Sequence, residues 1–491
     1  MKNKSYQDIW QDISDSGWAN TLIQNILNKV NDPKVSDYIP ALDLESQNDF
    51  TLNSKPSSFE SVKNELNKYM DLAVNTQSPY FINQLYGGAH PIAVISEWVG
   101  AFMNTSMATY EIAPVATMYE KEILNSLAQL MNWSSHDGIM VPGGSYANMM
   151  AMHLARFLKN PETKIKGHSH KHLVYISDQA HYSVKKAAHL LGFGEDQVRV
   201  VLSDKDFKLD TLKLESMILE DIKLGFEPTL VVSTLGTTVF GAIDPISEIQ
   251  KICEKYNLWH HVDGAWGGPL VFSSKSIQDE LSVVDSVTFD FHKLLGGTLT
   301  KALFITKKEY LLSQSNSCAG TQYIFHEDED SFFDTGTKAI QCGRKVDALS
   351  LWMTWKFLGT EGFKSYVDEL MSLRFETLKL IKKYNFKSLH NPEYLNICFQ
   401  VPVPNNLSES NINDFQKRLR RQLMRDGRVY VNYSSTENEG VFVRLVLSHL
   451  RLNSEVLEDI FKIINETAEK LNIESSTISK KSNNSLTSAR V

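Results

Sequence analysis

From about residue 104 to residue 306 the chain repeats one pattern: a short run of β-branched and aromatic residues, then a longer amphipathic stretch. The runs are HLVYIS (172–177), VRVVLS (198–203), TLVVSTLG (229–236), LWHHVD (258–263), DSVTF (285–289) and ALFIT (302–306). Strands that are apolar on both faces must be covered on both faces, and amphipathic segments such as PISEIQKICEKYN supply the cover. The alternation predicts an α/β fold built on a mostly parallel sheet. Ligands of such sheets bind beyond the carboxyl ends of the strands, so the residues that follow each run are the first candidates for a site.

Those positions carry coherent chemistry. After the extended DGIMVP come Gly143, Gly144 and Ser145, which open the helix predicted over YANMMAMHLARFL. Backbone N–H groups at a helix start suit a phosphate, although a turn with a serine cap has the same sequence. HLVYIS leads to His181, which either stacks on a flat heteroaromatic ring or caps the following helix. Thr237 and Thr238 stand in a glycine-containing turn, where a hydroxyl either meets a phenolic oxygen or satisfies turn backbone. Asp263 ends a strand so apolar that its carboxylate needs a cationic or hydrogen-bonding partner, and a protonated ring nitrogen would serve. DSVTFDFHKLLGG ends with His292 and Lys293. A lysine there has few routes to solvent, so its ammonium is expected to be destabilised and its neutral amine free to form a Schiff base with an aldehyde. Phosphate, ring face, ring nitrogen and aldehyde together describe pyridoxal 5'-phosphate.

The bulk properties exclude other classes. A formal charge of −8 over 491 residues argues against a general nucleic-acid binder. The four cysteines, Cys253, Cys318, Cys342 and Cys398, form no CxxC pair, so neither a zinc site nor a disulfide framework is signalled. No signal peptide or membrane-spanning run is evident, and the reading is a cytoplasmic protein without membrane partners. The chain divides into a helical segment (1–100), a large α/β domain (101–365), a small α+β domain (366–472) and a polar, Ser/Asn-rich tail (473–491) expected to be disordered. Residues 6–30 and 60–75 have helical spacing, and 345–385 read as one or two long helices.

Several longer segments resemble the group II pyridoxal-phosphate amino-acid decarboxylases, and most of all their glutamate and cysteine-sulfinate branch. They are YFINQL (80–85), NTSMATYEIAPV (104–115), VPGGSYANM (141–149), STLGTTVFGAIDP (233–245), HVDGAWGG (261–268) and DTGTKAIQCGRKVDALSLWMTWKFLGTEGF (334–363). The resemblance implies the aspartate-aminotransferase fold (fold type I) and an obligate homodimer with active sites at the interface, the N-terminal helical segment packing on the partner subunit. It implies that Lys293 anchors the cofactor, Asp263 pairs with the pyridinium, His181 stacks on the ring, and Gly144 and Ser145 cradle the phosphate. Thr237, Ala265 and His292 join the cofactor set. Tyr323, in CAGTQYIFHEDED, resembles a catalytic tyrosine on a mobile loop. Arg444 resembles the arginine that binds the substrate carboxylate, with Gln84 and Tyr86 also in the substrate pocket.

The implied reaction is α-decarboxylation of an L-amino acid, with an acidic substrate (glutamate, aspartate or cysteine sulfinate) favoured. Departures from the family bear on that substrate. Asp290-Phe291 replaces the usual Asn-Pro before His-Lys, Tyr86 stands where a small residue is usual, and Ala108 replaces an aromatic residue. A carboxylate at 290 repels an anionic substrate or attracts a cationic one unless it points away, which keeps a diamino acid such as 2,4-diaminobutyrate as an alternative. An aminotransferase or aldehyde synthase of the same fold is the other alternative.

Overall fold

The computed structural model describes residues 11, 13–167, 171–403 and 409–487. The helices before the first strand include α1 (Trp18–Asn31), α2 (Phe59–Leu72), α3 (Pro91–Met103) and α4 (Pro114–Leu130). Of the helix expected over 6–30, residues 6–10 and 12 lie outside the described residues. Neither α1 nor α2 buries a residue within the chain, so both lie on its surface.

The large sheet contains β1 (Asp137–Val141), β2 (His172–Ser177), β3 (Val198–Val201), β4 (Glu227–Thr234), β5 (Trp259–Gly264), β6 (Ser286–Asp290) and β7 (Ala302–Thr306), in spatial order β1-β7-β6-β5-β4-β2-β3. Only β7 runs against its neighbours, pairing antiparallel with β1 and β6. The intervening helices are α5 (Gly144–Lys159), α6 (Ser183–Leu190), α7 (Thr211–Lys223), α8 (Ile246–Tyr256) and α9 (Lys275–Leu281). The apolar runs behave as two-sided strands: Val174 and Ile176 of β2 pack with Ala147, Met150 and Ala151 of α5 on one face. Leu173 and Tyr175 pack with Leu214, Ile218 and Ile249 of α7 and α8 on the other. Each such side chain, fully buried, contributes about 1.5–3 kcal/mol.

Helix α10 (Asp347–Lys383) fills the region expected to be one or two helices, and it is two: Gly359 interrupts it with φ 69° and ψ 171°. That left-handed φ favours glycine. The smaller sheet is antiparallel, order β10-β11-β9-β8, from β8 (Lys387–Ser388), β9 (Asn396–Gln400), β10 (Asn432–Thr436) and β11 (Gly440–Val446). Helices α11 (Glu409–Arg425) and α12 (Ser454–Thr487) accompany it. The N-terminal region is not wholly separate from this unit, because Ile82 N–H donates to Tyr430 O (3.0 Å) and Val446 N–H donates to Ile82 O (3.1 Å).

Helix α12 carries helical backbone to Thr487, through most of 473–491, and residues 488–491 lie outside the described residues. Its first turns are anchored by buried Leu457, Ile460, Phe461, Ile464 and Ala468. Once nucleated on that core, a helix adds one hydrogen bond per further residue, which polar residues also satisfy.

Candidate active site

The carboxyl ends of β1, β4, β5 and β6 open onto one cleft of about 340 Å³, a size within the range of about 300–1,000 Å³ usual for small-molecule sites. Gly143, Gly144, Ser145, His181, Asp263, Ala265, His292 and Lys293 all line it, so the structure gathers the sequence-predicted cofactor residues, with one exception taken up below.

The sheet register explains why. Asp263 stands opposite Thr234 on β4 and Thr288 on β6, at the end of a strand buried along its whole length. Its carboxylate is 5% exposed and accepts hydrogen bonds from Asn148 Nδ2 (2.7 Å) and the Ala265 N–H (3.1 Å). Asn148 lies one helical turn after Gly144, and its carbonyl oxygen is met by Thr288 Oγ1 (3.0 Å) and by His261 Nε2 (3.1 Å). Burial pushes His261 down to about 4, so it is neutral at pH 7. This polar relay fixes the Asp263 carboxylate at the edge of the cleft.

After β1, Gly143 has φ 102°, and α5 begins at the next residue. A Cβ on Gly144 would stand 2.8 Å from both carboxylate oxygens of Asp290 and 3.1 Å from the Ala265 Cβ. No larger residue fits there without displacing Asp290. The bare glycine at a helix start leaves a cradle for an anion.

DFHKLLGG folds as a tight turn after β6. Lys293 N–H donates to Asp290 O (3.2 Å), His292 Nδ1 meets Lys301 O (3.0 Å), and Gly297 N–H donates to Phe291 O (3.0 Å). The turn aims the Lys293 side chain, 20% exposed, into the cleft. There Nζ lies 3.0 Å from Asp290 Oδ2. The sequence predicted an amine with few routes to solvent; the structure adds an ion pair, because Asp290 points into the cleft rather than away. Asp290 is 3% exposed, and its Oδ1 has no hydrogen-bond partner among the described residues.

His181 is held by Ser183, whose hydroxyl is 2.8 Å from His181 Nδ1 and whose N–H donates to the same atom at 3.3 Å. Burial lowers its pKa, with the Asp263 carboxylate opposing that shift. A neutral imidazole fixed at the cleft wall is suited to ring contact.

Other predicted residues are not brought together. Thr237 is fully buried and turned away: its hydroxyl accepts the Ala242 N–H (3.0 Å), closing its own turn, while Thr234, Gly236 and Thr238 reach the cleft instead. Tyr86 packs on Phe81, centroids 5.8 Å apart, in a satellite cluster with Val35 and Tyr430. Gln84 uses its carbonyl to accept from Ser448 Oγ (3.2 Å), and its neighbour Leu85 lines the cleft. Tyr323 is 80% exposed on the chain's own surface. Arg444 borders the cleft through Thr238, donating to Thr238 O (2.9 Å) and Asn83 O (2.8 Å), while its buried Nε has no partner among the described residues. Sequence reasoning missed Asn148 and Trp266. Trp266 ties the cleft to the small sheet by donating from Nε1 to Asn396 Oδ1 (2.6 Å).

Comparison with known proteins agrees with this geometry. The pyridoxal-dependent decarboxylase conserved domain matches residues 41–402. Cysteine sulfinic acid decarboxylase of Mus musculus is 35% identical over 433 residues, covering 85% of this chain and 87% of that protein. The Homo sapiens protein of the same name is 35% identical over 436 residues, covering 85% and 88%. The crystal structure of mouse CSAD superimposes with a TM-score of 0.87 at 31% identity, over 92% of this chain and 98% of that one. With a lysine and a buried carboxylate lining one cleft above the strand ends, and with these relatives, the chain belongs to the pyridoxal-dependent decarboxylases, and pyridoxal 5'-phosphate is its cofactor.

Proposed function

We propose that this cleft removes the α-carboxyl group of an acidic L-amino acid, of the glutamate, aspartate or cysteine-sulfinate class, releasing the amine and carbon dioxide. The observation that carries the reading is the convergence of Lys293, Asp263, His181 and the Gly143–Ser145 helix start on one cleft. The acidic substrate is supported by the 35% identity to two cysteine sulfinic acid decarboxylases. Bound pyridoxal phosphate supplies an electron sink for the pair left behind as carbon dioxide departs.

The chain's own residues do the rest. Lys293 would hold the cofactor as its covalent anchor. Asp263, fixed by Asn148 and the Ala265 N–H, presents a buried negative charge that keeps a ring nitrogen protonated. At about 4 Å and an effective dielectric near 20, such a pair is favoured by roughly 4 kcal/mol, about three pKa units. His181 covers the ring face, with Ala265 and His292 completing the wall. Ser145 and the N–H groups at the start of α5 hold the phosphate. Arg444, already positioned by two carbonyls, takes the substrate carboxylate. Tyr323 returns a proton to the α-carbon.

Tyr323 lies outside its own chain's cleft, and this fits a homodimer in which each copy brings the loop to its partner. Exposed apolar side chains support that assembly: Trp98 is 46% exposed, Phe102 70%, Met103 60%, Ile112 53% and Val115 60%. Helices α1 and α2 likewise expose apolar side chains, Ile23, Leu27, Val62 and Leu66. A cytoplasmic setting is supported by the free state of all four cysteines and by the lack, among the described residues, of a helix long and apolar enough to cross a membrane.

The diamino-acid alternative needs the Asp290 charge free for a distal ammonium. Its proximity to Lys293 and to the Gly144 cradle engages that charge at the anchor end of the cleft. Carbon dioxide release measured over glutamate, aspartate, cysteine sulfinate, 2,4-diaminobutyrate and aromatic amino acids tests the reading. The acidic substrates should lead with the amine as product; a preference for 2,4-diaminobutyrate, or aldehyde and ammonia as main products, would overturn it.

A further inference from the structure

Asp290 poses a charge problem that the proposed reading of the cleft does not resolve. The carboxylate lies beneath the cradle at the start of α5, its oxygens 2.8 Å from where a Gly144 Cβ would be, and it is almost fully buried with Oδ1 unpartnered among the described residues. The groups facing it are few. Lys293 Nζ is at 3.0 Å and His292 Nε2 at 3.8 Å, from its own turn. His181 faces it from the β2–α6 connection, and Asp263 ends the adjacent strand. Burial lowers the pKa of both histidines, so neither brings a full positive charge at neutral pH. Lys301, the other cation near His292, is already committed to Glu97 (2.8 Å) and Asp347 (2.5 Å). Among the lining residues Lys293 is therefore the one permanent cation, against two buried carboxylates.

A phosphate monoester at pH 7 carries between one and two negative charges, with its second ionisation near pH 6. Setting a dianion beside a buried carboxylate, while Lys293 is consumed as the anchor, leaves like charges in contact. Closely spaced acids in such a site relieve the repulsion by holding a proton between them.

We propose that Asp290 makes occupation of the phosphate cradle proton-coupled: the cofactor's phosphate is seated with one proton taken from solvent and shared with the Asp290 carboxyl, so that the site holds the ester as a monoanion. This rests on the reading of the cleft as the pyridoxal phosphate site. Asp290 is a positioning residue that sets the charge of the bound ester, and it is not the group that reads the substrate side chain.

Phosphorus NMR of the full-length holoenzyme tests it. In the wild type the cofactor resonance should stay at the monoanion position from pH 6.5 to 8.5; in Asp290→Asn, nearly isosteric and uncharged, it should move to the dianion position. Binding of pyridoxine 5'-phosphate, which has no aldehyde, to Lys293→Ala, where the cation paired with Asp290 is removed, gives a second measurement. Affinity in that background should fall about tenfold per pH unit above pH 7, with proton uptake seen calorimetrically in buffers of different ionisation enthalpy, and adding D290N should abolish both. A dianion resonance in the wild type, or binding without proton uptake, would overturn the proposal while leaving the cofactor site intact. Wild-type protein in which no phosphorus resonance is bound would overturn the reading of the cleft and the proposal with it.

Discussion

The floor of the cleft and its mouth are built differently. The floor draws on strand ends of one chain: Asp263, Lys293 and His181 follow strands and Gly144 opens a helix, and each is fixed by neighbours from the sheet or the first turns beyond it. The mouth is different. Arg444 reaches it only through Thr238, Tyr323 lies on the outer surface, and Tyr86 packs elsewhere. Parallel strand ends position side chains by register, whereas loops and subunit contacts position them by packing. The candidate cofactor residues are therefore placed by strand register, and the candidate substrate residues by segments laid over it.

Substitutions on the two sides should separate accordingly. Lys293→Ala removes the anchor and should lower turnover by on the order of 10⁴–10⁶-fold, the scale seen when a covalent catalytic residue is deleted; steady-state assay of carbon dioxide release checks this. Asp263→Asn keeps the shape and loses the charge, so the rate should fall about 10³-fold, in line with three pKa units. A far smaller loss would mean that the ring nitrogen is not held protonated by this carboxylate.

At the mouth, Tyr323→Phe should lower the rate by at least about 10²-fold while leaving the cofactor's absorbance and stoichiometry unchanged. Mixing this variant with Lys293→Ala should restore activity in the heterodimers, because one intact floor then meets one intact partner loop. Failure to restore it would place Tyr323 in its own chain's cleft. Behind the floor, Asn148→Ala removes a hydrogen bond to a buried charge, worth about 1.5–3 kcal/mol, and cofactor should bind about 10–100-fold more weakly in an equilibrium titration. Tyr86→Phe marks the other extreme: with its ring packed on Phe81 outside the cleft, KM should change by less than about twofold.

This division also explains what the sequence discloses. Asp263, Lys293 and Ser145 were legible because the two-sided apolar strands announce their own ends. Asn148 carried a signal too, an amide among the methionines and alanines of α5, one turn from Gly144. Thr237 was misread because neighbouring turn residues point in different directions, and only the fold shows that its hydroxyl closes the turn while Thr234 and Thr238 face out. The sequence marked Asp290 as anomalous, yet its pairing with Lys293 depends on how tightly the DFHK turn closes. Tyr323 and Tyr86 fall in segments whose surroundings are set by long-range packing.

The central claim is that one flat ring is held between Asp263 and Lys293 in a single cleft. Borohydride reduction of the purified holoenzyme, followed by peptide mapping, tests it most directly. The account predicts cofactor fixed in about equal stoichiometry to protein, on Lys293 alone. Reduced cofactor on another lysine, or protein that retains none, would contradict it.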